Sequence, residues 1–77
     1  MSIPLPCVTA TEVIRVLLKI DFFLTRQSGS HRIYKNALGR RVTVPFHSGQ
    51  TLHPKLIKSI LTEAQLTVEE FVLLLQE

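Results

Sequence analysis

No carboxylate occurs between Phe22 and Thr62, a stretch of 41 residues that carries seven of the nine Lys and Arg and all three histidines. Carboxylates are therefore not on hand there as general bases or metal ligands, and the field of that stretch favours anions. Cysteine occurs once, at Cys7, which excludes an internal disulfide, and no Cys/His cluster has the spacing of a zinc site. A reducing, intracellular setting is expected. Long apolar runs are also missing. The longest near the C-terminus, Phe71 to Leu75, is far too short to span a bilayer, and Met1 to Cys7 lacks a basic leader followed by an apolar core. These gaps predict a soluble, cytoplasmic protein with no membrane partner. A chain of 77 residues leaves no room for a separate catalytic lobe, and it contains no internal repeat, low-complexity segment or linker. Residues 1–77 are expected to form a single domain.

What is present is unevenly distributed. The apolar share, 45%, is normal for a folding chain, and the net charge is only +3. Arg26, Arg32, Lys35, Arg40, Arg41, Lys55 and Lys58 occupy the middle, whereas Glu63, Glu69, Glu70 and Glu77 fall in the last fifteen residues. Such segregation creates a field that draws phosphate backbones, with an affinity that falls as salt rises. A solvated basic face without a partner is the ordinary alternative.

Three helices are marked by their caps. Thr9-Ala10-Thr11-Glu12 is a capping box, with Val8 placed to staple onto Val13, and Val13, Val16, Leu17 and Ile20 follow on one helical face. Pro54 suits a first helical position, and Ile57, Ile60, Leu61 and Ala64 repeat the same spacing behind it. Thr67-Val68-Glu69-Glu70 is a second capping box, with Leu66 and Phe71 as its staple and Val68, Phe71, Val72 and Leu75 as the stripe of a short last helix.

Between the first two helices, β-branched and aromatic residues are broken by turn signals. Phe22 to Gln27, Ser30 to Lys35 and Arg40 to Phe46 read as three strands joined at Ser28-Gly29 and at Asn36-Ala37-Leu38-Gly39. The order predicted is α-β-β-β-α with a three-stranded antiparallel sheet packed on helices and a terminal helix, an α+β domain. Alternation groups Val42, Val44 and Phe46 on one face of the third strand, and His31, Ile33 and Lys35 against Arg32 and Tyr34 in the second. Which set of the second strand meets the core stays open.

The run Arg26-Gln27-Ser28-Gly29-Ser30-His31-Arg32-Ile33-Tyr34, then Arg41-Val42-Thr43-Val44-Pro45-Phe46-His47-Ser48-Gly49, Leu52-His53-Pro54 and Lys58-Ser59-Ile60-Leu61, resembles the HicA toxins of bacterial toxin–antitoxin pairs. The opening Leu5-Pro6, Val8-Thr9 and Glu12-Val13-Ile14 resembles the start of that family too. The resemblance implies a fold like the double-stranded RNA-binding domain and a metal-independent endoribonuclease, an mRNA interferase. It also implies inhibition by a HicB-like antitoxin that covers the cationic face, and a catalytic histidine at His31. Departures from the family pattern are local. Asp21 and Gln65 stand where glycines usually end the first two helices, which weakens two expected left-handed caps. Lys55-Leu56 replaces Gly-Thr, and Ser28 replaces a lysine beside Gly29-Ser30-His31.

Chemistry supports the same residue. RNA is cut when its own 2′-hydroxyl attacks the adjacent phosphate, which needs a base, an acid for the departing 5′-oxygen and positive charge nearby. Histidine, with an ordinary pKa of ~6.5, serves either proton transfer, and such a group is typically worth about 10²–10⁴-fold. Gly29 lets the backbone approach a phosphate, and Ser30 offers a hydroxyl. His47 is a candidate second acid or base, since a meander brings the start of its second strand and the end of its third together; contacting RNA or capping a loop is the alternative. His53, beside Pro54, fits a helix N-terminus. Arg26, Ser28, Arg32, Lys35, Arg41, Lys55 and Lys58 are candidate RNA contacts. Tyr34 is a candidate base-stacking ring or an ordinary core aromatic. No cofactor and no metal are expected, because the histidine spacings match no helical ligand pair. Single-stranded RNA is the expected substrate, as in-line attack needs a flexible backbone. A non-catalytic RNA-binding module would need the same fold without chemical dependence on His31. A pure interaction protein would instead dock through Val72 to Leu75.

Overall fold

The computed structural model describes residues 5–47 and 49–77; Met1–Pro4 and Ser48, which enter the readings above, lie outside them. The elements run α1 (Ala10–Lys19), β1 (Phe23–Ser28), β2 (His31–Lys35), β3 (Arg41–Pro45), α2 (Pro54–Ala64) and α3 (Val68–Gln76). The strands form one antiparallel sheet in the order β1-β2-β3, the α+β layout of a double-stranded RNA-binding domain. Among the described residues no helix is long and apolar enough to cross a membrane.

Helix starts follow from side chains that satisfy orphan backbone N–H groups. The Glu12 N–H donates to Thr9 Oγ1 (3.3 Å) while the Thr9 N–H donates to Glu12 Oε1 (3.0 Å). Thr67 and Glu70 repeat this box at α3, at 3.1 and 2.8 Å. At α2 the cap is His53, whose Nδ1 accepts from the Lys55 N–H at 3.1 Å ahead of Pro54. Helix ends are equally defined. The Phe22 N–H reaches the Leu17 carbonyl (3.0 Å) and the Asp21 N–H that of Leu18 (3.3 Å). In α2, Leu66 reaches Leu61 (2.9 Å) and Gln65 reaches Thr62 (3.2 Å). Both are Schellman pairs, and both place a non-glycine residue in the left-handed region: Asp21 at φ 69° and Gln65 at φ 58°. The caps expected to weaken without glycine are therefore formed, with the strain carried by Asp21 and Gln65.

The core lies between the sheet and the helices. Val13, Val16 and Leu17 of α1 and Ile57, Ile60 and Leu61 of α2 are buried with Val42, Val44 and Phe71. Along α3 the stripe differs slightly from expectation, because Leu74, rather than Val72, packs against this cluster beside Val68 and Leu75. Cations of α1 hold that helix at its negative end. Lys19 Nζ donates to the carbonyls of Leu74 and Glu77, both at 2.8 Å, and Arg15 Nη2 to that of Leu75 at 3.5 Å. The segment after β3 is tied to the entry of α1 by the Leu52 N–H on the Val8 carbonyl (2.8 Å) and a Thr9–Thr51 bridge.

Register settles what alternation left open. Tyr34 faces Val42 and Arg32 faces Val44, so the Arg32 and Tyr34 side of β2 is the inner one. The turn fixes this pairing: Asn36 Oδ1 accepts from the N–H groups of Leu38 (3.1 Å) and Arg40 (2.9 Å), and the Asn36 N–H donates to the Arg40 carbonyl (3.1 Å). Strand bounds differ from those predicted, and β1 runs on to Ser28, one residue further than expected. Phe22 is taken by the α1 cap, Ser30 by the first turn and Arg40 by the second, and Phe46 falls beyond β3. β1 carries a bulge at Thr25, between Leu24 opposite Tyr34 and Arg26 opposite Ile33, and the Thr25 hydroxyl donates to the Ile33 carbonyl at 2.9 Å.

Candidate functional site

The turn between β1 and β2 is two residues long, Gly29 and Ser30. Gly29 sits at φ 58°, and a Cβ added there would meet nothing within 4 Å, so the backbone conformation rather than space calls for glycine. His31 is the first residue of β2 and is exposed. It pairs with Ser28 on one side and Pro45 on the other. The next rows on the same outer face are Arg26, Ile33 and Thr43, then Phe23, Lys35 and Arg41. Directly paired residues share a face, so His31, Arg26, Lys35, Arg41 and Ser28 stand together on the side away from the core. None of the residues on that face is acidic. Such a surface offers an imidazole for proton transfer beside fixed positive charge for a phosphate.

His47 lies at the same end of the sheet. The Phe46 N–H donates to the Ser30 carbonyl at 2.6 Å, joining the residue before His47 to the residue before His31. Both histidines are exposed. Ser30, half-buried, thus contributes its carbonyl to this tie. His53 is occupied as the α2 cap, in keeping with the helix N-terminal place expected for it.

Four candidate contacts lie elsewhere. Tyr34 is only 2% exposed and belongs to the core, so the base-stacking reading is corrected to the core-aromatic one: a ring sealed between sheet and helices has no face for a base. Arg32 is on the inner side, with its guanidinium carbon 3.9 Å from the centroid of the Phe46 ring and its Nε buried without a hydrogen-bond partner. Lys55 and Lys58 line a shallow depression on α2 with Ser59, Thr62 and Glu63, apart from the outer sheet face. Phe23 was missed by sequence reasoning. The signal was the Phe22-Phe23 pair itself, since adjacent residues at a strand entry must point to opposite sides.

Among the described residues, no three His, Cys, Asp or Glu side chains come together as a metal site. No curated protein is similar enough to the chain to count as a match. The family model described as the HicA toxin of bacterial toxin–antitoxin pairs matches residues 10–66, from the first residue of α1 to the residue that follows the left-handed end of α2. That span contains the whole sheet and every residue of its outer face, and the chain belongs to the HicA family of bacterial toxins.

Proposed function

We propose that this toxin acts as an endoribonuclease on messenger RNA, without a metal ion, and that His31 is its principal acid–base residue. The observation that supports this reading most is the position of His31. It opens β2 at a glycine turn, exposed, on an acid-free sheet face shared with Arg26, Lys35 and Arg41. In the proposed reaction the substrate's 2′-oxygen attacks the adjacent phosphorus and loses its proton to a base. The bond to the 5′-oxygen breaks as an acid protonates it, leaving a 2′,3′-cyclic phosphate and a 5′-hydroxyl. His31 takes one of these transfers, and in this reading His47 takes the other; the backbone tie from Phe46 to Ser30, which brings the two histidines to one end of the sheet, supports that pairing. Ser28, Ser30 and the cations of the face hold the phosphate and offset its growing charge. Arg32, Lys55 and Lys58, off this face, contribute to the wider basic field.

The same face is the proposed target of a HicB-like antitoxin, which would silence the toxin by covering His31. The domain is proposed to act in the cytoplasm. The test is cleavage of a labelled single-stranded RNA in excess EDTA by wild type and His31→Ala. Cutting by wild type alone, with cyclic phosphate ends, supports the reading. If neither protein cuts while both bind RNA in a salt-dependent way, the chain is an RNA-binding module instead.

A further inference from the structure

The cleavage chemistry leaves one aromatic ring of the outer face unused. Phe23 pairs with Lys35, and Lys35 with Arg41, so the ring stands in one row with two cations. It is 51% exposed, although the adjacent Phe22 is buried. The helices pack on the opposite face, where Val42 and Val44 are sealed, so packing does not account for a large ring here. From His31 to Lys35 is four residues, about 14 Å along an antiparallel strand. Arg26 and Ile33 form the row between.

We infer that Phe23 is a stacking platform for an unpaired base, and that RNA is bound as a single strand lying along β2, with the cleaved phosphate at His31 and a base on Phe23. This rests on the RNA reading proposed above. Charge complementarity selects the occupant, because a face with Arg26, Lys35, Arg41 and no carboxylate suits a polyphosphate backbone. The ring then selects the strandedness. Every base has a π-face to lay on an exposed aromatic, whereas a duplex keeps its bases stacked on each other. A duplex would meet the cations and gain nothing from Phe23.

The experiment uses the full chain carrying His31→Ala, so that RNA is bound and not cut, with oligoribonucleotides bearing 2-aminopurine at successive positions. Phe23→Ala should weaken single-strand binding roughly 5- to 150-fold, the range of one base–aromatic stack. It should also abolish the fluorescence quenching seen at one position, and Phe23→Trp should restore both. Leu24→Ala removes a side chain that is 48% exposed but sits on the opposite face of the same strand, and it should bind as the parent does. A duplex of the same sequence should not respond to Phe23→Ala. If Phe23→Ala binds the single strand like the parent while Lys35→Ala weakens it, the stacking role is wrong and the RNA reading stands. If the parent binds no RNA, both fail.

Discussion

The two faces of the sheet are interleaved residues of the same strands, and His31 and Arg32, neighbours in β2, belong to opposite ones. On the inner face Tyr34, Val42 and Val44 are sealed against α1 and α2; on the outer face His31, Lys35 and Arg41 stand in water. Position along the chain therefore says little about role, and parity says a great deal. A cation on the inner side has to be accommodated by packing, as Arg32 is on Phe46. One on the outer side is free to meet a phosphate. If this division is sound, substitutions on the two faces should fail in different ways: outer ones in chemistry and binding, inner ones in stability.

The largest effect on the outer side is expected from His31→Ala. Removing a positioned proton-transfer group should lower the rate of RNA cleavage about 10²–10⁴-fold. The melting temperature and RNA affinity should stay close to wild type, because the side chain is exposed. A large drop in melting temperature would break the comparison. The inner counterpart is Tyr34→Ala. Deleting a ring that is 2% exposed should destabilise the fold by about 3–5 kcal/mol, a large share of what a small domain possesses, as measured by urea unfolding. Any loss of cleavage by this variant should follow the unfolded fraction, so lowering the temperature should recover it.

How far these two faces were legible in the sequence depended on what kind of signal each needed. Caps are local and chemical, so Thr9 with Glu12 and Thr67 with Glu70 placed helix starts correctly. The apolar side of β3 was equally plain from Val42 and Val44. β2 was not, because each of its parity sets mixes one large apolar residue with a cation: Ile33 with Lys35, Tyr34 with Arg32. Its inner side is settled by pairing with β3, and that pairing depends on how Asn36 closes the turn through two acceptor contacts. A one-residue slip there would have exchanged His31 and Arg32. The bulge at Thr25 was invisible for the same reason, being a property of two strands together. His31 was singled out by Gly29-Ser30-His31 and its acid-free surroundings together with the family resemblance, all of which are features of sequence.

Smaller effects sharpen the division between cations. Arg41→Ala should weaken RNA binding at all sequences alike and lower the slope of log affinity against log salt by about 1, as expected for one lost phosphate contact. Arg32→Met should leave that slope unchanged. Methionine keeps an apolar stem against Phe46 and removes an Nε that is buried without a partner, so the lost cation–π attraction, roughly 0.5–1 kcal/mol, is partly offset. A net stability change below about 1 kcal/mol by urea unfolding is therefore expected. A fall in the salt slope equal to that of Arg41→Ala would show that the guanidinium reaches phosphate from the inner side.

The gentlest test acts on the cover of the inner face without touching either face. α2 seals Val42 and Val44, and its exit turns on Gln65 at φ 58°; α1 exits through Asp21 at φ 69°. A side chain in the left-handed region costs about 1–2 kcal/mol, and glycine there recovers part of this while adding entropy to the unfolded chain. Gln65→Gly should thus stabilise by about 0.5–1 kcal/mol, raising the melting temperature by several degrees in a domain of this size. Asp21→Gly should stabilise less, since aspartate tolerates the left-handed region better than glutamine. The Leu66 and Phe22 N–H bonds that complete the two caps involve backbone only and should survive both changes. Cleavage per folded molecule should not change in either variant. A gain in stability that came with a loss of cleavage would mean that the outer face depends on strain in the helices behind it, and the two faces would then have to be treated as one device.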